Sequence, residues 1–278
     1  MIRSITSRDN SLLRLARSVR DGKDAEYIFV EGLRLCEEAL RSSLKIEAVI
    51  VSEELLRKER AAEAIAELSE ASRRSASVTE KLLESISYTK TPQGIVVLAE
   101  RPASSEKQLS LDNSPLFVVL HQINNPVNVG AILRTAEAAG AAGVITTKNT
   151  SDPFSPKSLR GAMGSAFRLP IWTGPGYDEM IAWCRKRGIE TVCADAEATL
   201  THTEINWTRP IALVMGPEST GFTADEMKSA TQIVRIPMHG AVESLNVSVA
   251  AGILLFEAAR QRSGHKEAQK AQENSSSC

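Results

Sequence analysis

Two residue types are scarce in this 278-residue chain. Aromatic side chains make up 4% of it, so the core has to be built from Leu, Ile, Val and Ala. Cysteine occurs four times, as Cys36, Cys184, Cys193 and Cys278. No two of these stand at metal-ligand spacing and there is no CxxC, so free thiols in a reducing compartment are expected. His121, His202, His239 and His265 form no HxxxH-type pair, and no metal site is expected. No apolar run approaches the roughly 20 residues that span a bilayer, and the opening MIRSITSRDN lacks the apolar stretch of a signal peptide. A cytoplasmic protein with no membrane partner is therefore expected. Charge bias is missing as well. With 33 basic and 34 acidic residues the net charge is -1, which excludes a uniformly basic nucleic-acid coat but not a local patch, and phosphate contacts need only a patch.

One such patch exists. Residues 3–23 carry Arg3, Arg8, Arg14, Arg17, Arg20 and Lys23 against Asp9 and Asp21. The plain alternative is a solvated helix face.

Hydrophobic rhythm divides the chain in two. Residues 1–100 read as a small α/β unit. A helix is expected from about Asn10 to Val19, strands at 27–30, 48–51 and 94–98, a helix from Gly32 to Arg41, another over 53–70, and a short one capped by Thr79. Residues 101–113, RPASSEKQLSLDN, sustain no apolar pattern and read as a linker. A second α/β unit occupies 114–262. Strands are expected at 116–120, 143–147, 190–194, 211–215 and 232–236, and helices at 129–139, 156–162, 177–187, 222–230 and 245–262. Near-continuous apolar strands alternating with helices indicate a mostly parallel sheet covered on both faces. The polar residues 263–278 read as a disordered tail.

Three strand-end segments stand out. The first, NNPVNVGAILRT at 124–135, follows a strand and starts a helix. Asn128 suits an N-cap, Gly130 allows close approach, and Arg134 suits a phosphate; a capped helix with a surface Arg is the bland alternative. The second, LVMGPESTGF at 213–222, carries an apolar strand into a tight turn bearing Glu218, at the strand end where open α/β sheets bind ligands. An ordinary strand-to-helix turn capped by Thr223 would look the same. The third, IPMHGAVESLNVSVAAG at 236–252, leaves a strand and begins a helix near Ser244. Asn246 and Ser248 there are either self-satisfied caps or a ligand-facing rim.

Together and in this order, NPVNVGAILRTAEAAG, LVMGPESTGF and IPMHGAVESLNVSVAAGILLFE resemble the three motifs of the SpoU (TrmH-like) family of RNA ribose 2′-O-methyltransferases, in the SPOUT superfamily. SPKSLRGAMGSAF at 155–167 also looks like the family. The resemblance covers about 115–260. FVEG at 29–32 and TPQGIVVL at 91–98 look like the small RNA-binding substrate domain often attached to these enzymes.

The resemblance implies an α/β SPOUT-type parallel sheet whose C-terminal segment forms a trefoil knot, preceded by a small α/β substrate domain. It implies methyl transfer from S-adenosylmethionine to a ribose 2′-hydroxyl of ribosomal or transfer RNA by a homodimer, without a metal. Carried onto this chain, Gly216, Ile236, Met238, Ser244 and Leu245 would hold the cofactor, and Asn128, Arg134, Glu218 and Asn246 would form the catalytic set. Ser219 departs from the glycine that often follows the family's glutamate, which puts the local loop geometry in question. Two other readings compete. An ordinary Rossmann enzyme would need a GxGxxG turn after an early strand, and none occurs. A non-catalytic RNA-binding or ribosome-assembly protein could keep the fold, against which stands the complete catalytic set. Whether the role is housekeeping or antibiotic resistance stays open.

Overall fold

The computed structural model describes residues 2–240 and 242–276. The chain forms two compact units, one of Met1–Ala103 with Asp152–Arg168 and the other of Ser104–Ser151 with Leu169–Cys278.

The first unit runs β1 (Arg3–Ile5), α1 (Ser11–Arg20), β2 (Tyr27–Glu31), α2 (Leu33–Arg41), β3 (Ile46–Ser52), α3 (Glu53–Leu56), α4 (Glu59–Ala71), β4 (Ser72–Val78), α5 (Glu80–Ile86) and β5 (Ile95–Glu100). Its sheet has the order β1-β4-β3-β5-β2. β1, β4 and β3 are parallel, while β5 runs antiparallel to both β3 and β2. Asn10 caps α1 by accepting from the Leu12 N–H at 2.9 Å, and the helix buries Leu12, Leu13, Ala16 and Val19. These pack on Phe29, Ile50, Val96 and Leu98 of the sheet, giving a core largely of aliphatic side chains. Gly32 starts α2 with φ 98°, and a Cβ there would lie 2.7 Å from Gln93. The Gln93 side chain could swing aside, so it is the left-handed backbone that demands glycine.

Several first-unit elements differ from the expected ones. The helix expected over 53–70 breaks at Arg57–Lys58 into α3 and α4, with Ser52 capping α3 through the Leu55 N–H. β1 and β4 were not foreseen. β4 reads SRRSASV, too polar to announce a strand, yet it lies between β1 and β3 with its last three residues buried or nearly so. Thr79 does precede α5 but makes no side-chain cap bond.

The second unit holds β6 (Leu116–Leu120), α6 (Pro126–Ala138), β7 (Gly143–Thr146), β8 (Ile171–Thr173), α9 (Tyr177–Lys186), β9 (Glu190–Ala194), β10 (Leu200–Thr201), β11 (Ile211–Met215), α10 (Ala224–Ser229), β12 (Gln232–Arg235) and α11 (Val247–Ser276). Its seven strands have the order β10-β12-β9-β11-β6-β7-β8, and every pairing is parallel. Central β6 and β11 are buried at every position, as their unbroken apolar runs predict. The short strands β8 and β10 were not foreseen.

Between β7 and β8 lie α7 (Pro156–Ala162) and α8 (Ser165–Arg168), which belong to the body of the first unit. Arg168 pairs with Glu38 at 2.6 Å. Arg101 pairs with Asp152 at 2.6 Å and lies over the Phe154 ring. The stretch read as a linker contributes a 3₁₀ turn, Glu106–Gln108, and a buried Leu109 whose side chain approaches Gly143. The polar stretch read as a disordered tail is helical as far as Ser276, in continuation of α11. Its Lys, Ala, Glu and Gln residues are strong helix formers. Residues 277–278 lie outside the described residues. Among the described residues no helix is long and apolar enough to cross a membrane.

Candidate active site

In an all-parallel sheet, the loops that leave the carboxyl ends of the strands gather along one edge. β6, β9, β11 and β12 all discharge there. The chain after β11 (Gly216–Phe222), Ile236, Met238 and Ser244–Asn246 from the chain after β12, and residues 194–196 at the end of β9 enclose a cavity of about 440 Å³, within the ~300–1,000 Å³ usual for small-molecule sites. Gly216, Ile236, Met238, Ser244 and Leu245 all line it, as do Glu218 and Asn246.

Gly216 is held by space rather than by dihedral angle. A Cβ at this position would stand 2.6 Å from the Phe222 ring, so any larger residue forces the ring or the loop to move. The left-handed turn of the loop falls at Gly221, φ 64°. Ser219 is not among the positive-φ residues, so serine is tolerated there without backbone strain.

Beside the cavity a chain of side-chain hydrogen bonds joins the three loops. Asn128 Nδ2 donates to Glu218 Oε1 at 2.7 Å, and Asn246 Nδ2 donates to Asn128 Oδ1 at 3.3 Å. These contacts span 90 and 118 residues of sequence. Asn128 is 5% exposed, so its amide needs these partners. Asn246 Oδ1 in turn accepts from the Ser248 N–H at 2.9 Å and hydroxyl at 2.6 Å.

Two expectations about these residues are corrected. Asn128 is not the N-cap of α6. Asn125 is, accepting from the Val127 N–H at 3.0 Å with Pro126 in the first helical turn. Proline is favoured at the first helical position, where its missing N–H costs nothing, and this moves Asn128 one turn inward onto the buried face. α11 begins at Val247 rather than near Ser244, which makes Asn246 its cap and part of the cavity wall at once.

Arg134 is not gathered with the other three. It is exposed on the third turn of α6, and among the described residues it has no hydrogen-bond or ion-pair partner. α6 packs on α11, and α11 exposes Val249, Ile253 and Phe256 at 51%, 36% and 55%, a spacing that puts them on one face. Val127 on α6 is exposed too.

The cavity also uses residues that sequence reasoning missed: Ala194, Asp195, Ala196, Pro217 and Phe222. Asp195 immediately follows β9 and donates its N–H to the Val234 carbonyl at 2.9 Å. The strand-end rule that singled out Glu218 also applies to it.

The first unit has a cleft of its own, of about 940 Å³, lined by residues that include Gly32, Arg34, Arg60, Gln93, Arg160 and Met163. Most carboxylates at its rim are engaged. Glu31 accepts from the Tyr88 and Thr89 N–H groups and the Thr89 hydroxyl, Glu54 pairs with Lys58, and Glu80 accepts from the Glu54 N–H. Arg34, Arg60 and Arg160 have no ion-pair partner among the described residues. The N-terminal cations are only partly free: Arg20 pairs with Asp21 and donates to the Ser85 and Ser87 carbonyls, and Arg17 donates to the Arg8 carbonyl.

Residues 115–256 match the SpoU rRNA Methylase family, and residues 13–97 match the MRM3-like substrate binding domain. A 23S rRNA (guanosine-2′-O-)-methyltransferase RlmB from Vibrio vulnificus is 36% identical over 66% of this chain and 77% of its own. An uncharacterized tRNA/rRNA methyltransferase from Synechocystis is 31% identical over 94% and 95%. Among solved structures, the AdoMet-bound rRNA methyltransferase from Sinorhizobium meliloti is 31% identical with a TM-score of 0.81, covering 93% of this chain and 98% of that one. The SpoU methyltransferase AviRb from Streptomyces viridochromogenes, in complex with AdoMet, is 26% identical with a TM-score of 0.82, covering 91% and 98%.

Proposed function

Since the chain belongs to the SpoU rRNA methylase family, we propose that its strand-end site transfers a methyl group from S-adenosylmethionine to a ribose 2′-hydroxyl of ribosomal RNA. The observation that carries this reading is the convergence of Asn128, Glu218 and Asn246, linked by hydrogen bonds, beside the cavity that Gly216, Ile236, Met238, Ser244 and Leu245 line.

The cavity suits the cofactor. Met215, Ile236, Met238, Leu245, Val247 and Ala250 offer an apolar bed for a purine, and Asp195 and Glu218 stand at its polar part. Bound S-adenosylmethionine supplies an electrophilic methyl group on a sulfonium sulfur. Transfer of that methyl to the 2′-oxygen would leave the sulfur as the neutral thioether of S-adenosylhomocysteine and would release the hydroxyl proton to water. A ribose hydroxyl is a weak nucleophile and must shed that proton as the bond forms. Arg134 positions and polarises the hydroxyl and its neighbouring phosphate; a guanidinium, with a pKa above ~12, is a poor general base. Glu218 orients the Asn128 amide, and Asn246 ties that amide to the start of α11. Alignment of oxygen, carbon and sulfur supplies much of the rate.

The reading extends to assembly. Arg134 lies on a helix packed against the exposed row Val249–Ile253–Phe256, apart from Asn128 within its own chain. A homodimer buried on that row would bring the Arg134 of one protomer to the interface, near the active site. The SPOUT trefoil knot is the expected threading of the chain after β12 past the loop after β11. In the first unit, the unpaired Arg34, Arg60 and Arg160 around the cleft are suited to RNA phosphates, making residues 1–100 with α7 the substrate-binding part. A cytoplasmic setting follows from the RNA substrate.

The test is to map 2′-O-methyl sites in total RNA with and without the gene. Loss of one site, restored by the wild-type protein but not by Arg134→Ala, is expected. An unchanged map would overturn the assignment.

A further inference from the structure

We propose that His121 is a positioning residue that clamps both ends of the Gly216–Phe222 loop and so sets the wall of the cofactor cavity. This rests on the reading of that cavity given above. His121 lines no part of the cavity itself; it acts through the residues it holds.

At the start of the loop the clamp is made by backbone. His121 follows β6 directly, and its N–H donates to the Met215 carbonyl at 2.9 Å. The register of β6 and β11 pairs Leu120 with Met215, so this bond extends the ladder by one rung and fixes the residue before Gly216. At the far end the clamp is the imidazole. It is 2% exposed, with Nε2 2.9 Å from Glu226 Oε1 and Nδ1 2.9 Å from Thr147 Oγ1. Both ring nitrogens thus have a polar partner within hydrogen-bond distance, which fixes the plane of the buried ring.

Glu226 passes the constraint back to the loop. Its other oxygen, Oε2, accepts from the Thr223 N–H at 2.8 Å while its own N–H is bound by Thr223 Oγ1, a reciprocal cap of α10. Thr223 is the residue after Phe222. The Phe222 ring lies parallel to the imidazole, 4° apart with centroids 6.1 Å apart, and its edge lies where a Gly216 Cβ would be. The Tyr177 ring lies 4.7 Å from the imidazole, tilted by 55°, and its hydroxyl donates to the Glu226 carbonyl. The residue that follows β6 therefore holds Gly216 through its backbone and Phe222 through its side chain, and both are cavity residues.

The test uses the full-length protein, calorimetry with S-adenosylhomocysteine, methyl transfer to ribosomal RNA from cells lacking the gene, and thermal melting. His121→Ala is expected to raise Kd about tenfold, a change of about 1.4 kcal/mol, with kcat at saturating methyl donor within about twofold of wild type. His121→Gln, whose amide nitrogen reaches about as far as Nε2, is expected to bring Kd back to within about threefold. His121→Asn mimics only Nδ1 and should not. In the Glu226→Ala background His121→Ala should add little further loss, because both changes break one link. A melting temperature lowered in all His121 variants with Kd unchanged would overturn the proposal, as would a loss confined to kcat or equal rescue by Asn and Gln. Leu245→Glu puts a carboxylate in the cavity wall and should abolish the binding heat. If it does not, the cavity reading fails and this inference with it; if it does while His121→Ala binds normally, this inference alone fails.

Discussion

Replacing Asn128 by alanine tests the catalytic reading most directly, because Asn128 is central to the hydrogen-bond chain yet lines no part of the cofactor cavity. Two bonds are lost. The 2.7 Å bond to Glu218 ends on a charged acceptor, a class worth about 1.5–3 kcal/mol, and the 3.3 Å bond from Asn246 is long and neutral, worth about 1 kcal/mol or less. Glu218 is exposed, so water replaces part of what it loses and the lower half of the range applies. A net loss of about 1.5–3 kcal/mol in the transition state corresponds to a fall of about 10–150-fold in kcat/KM. Affinity for S-adenosylhomocysteine should stay within about threefold, since no cavity wall is removed. Asn128→Asp should be worse at neutral pH, because two carboxylates at that separation cannot both remain ionised without strong repulsion. The assay is transfer of labelled methyl from S-adenosylmethionine to ribosomal RNA from a strain lacking the gene, with calorimetry in parallel. An Asn128→Ala enzyme with kcat/KM within threefold of wild type would refute the reasoning, and so would a loss lying wholly in cofactor affinity.

Arg134→Ala should abolish methyl transfer while leaving cofactor affinity within about twofold; normal turnover in that variant removes Arg134 from the mechanism. Val249→Asp with Phe256→Asp should yield monomers in sedimentation analysis and lose activity, whereas a wild-type protein that is monomeric at micromolar concentration would end the dimer reading. Reversing Arg34 and Arg160 to Glu should weaken RNA retention and flatten its salt dependence without changing the heat of cofactor binding; unchanged RNA affinity would clear the cleft of that role. Burial raises the Glu226 carboxyl pKa, but hydrogen bonds from the Thr223 backbone and hydroxyl and from His121 outweigh it, leaving the group below its ordinary 4.5. Its contribution is therefore complete above about pH 5, beyond the unfolded-state value, and is lost as the pH falls through the lower folded-state value. Acid unfolding of Glu226→Ala should show a shallower decline below pH 4.5; an acid limb identical to wild type would contradict the assignment.

The catalytic unit was far more legible than the first. Central β6 and β11 are uninterrupted apolar runs, and their partners in the sheet follow the alternation of strand and helix, so the strand-end rule led straight to Glu218 and the loops beside it. What the sequence could not convey is which side chains meet. Nothing in NNPVNVG says that Asn128 points inward to a glutamate 90 residues away, and with several asparagines in that stretch the cap expected at Asn128 falls instead on Asn125. In the first unit β4 is hidden because SRRSASV satisfies a sheet position with polar residues, Arg74 reaching Glu47 at 2.6 Å. β1, β8 and β10 are two or three residues long, too short for any periodicity to register. The α7–α8 stretch carries family-like residues from the middle of the catalytic half, and no local pattern could show that it packs elsewhere.

That stretch has a consequence for how such proteins are taken apart and recombined. Because Asp152–Arg168 completes the body formed by the first hundred residues, no single cut in the polypeptide separates the two bodies cleanly. A truncation near residue 103 leaves Arg168 without Glu38 and Asp152 without Arg101, and a graft of the N-terminal body onto another catalytic half must carry both pieces or redesign the seam. During synthesis the same arrangement imposes a schedule: the first body cannot reach its final packing until the ribosome has moved well past the start of the second.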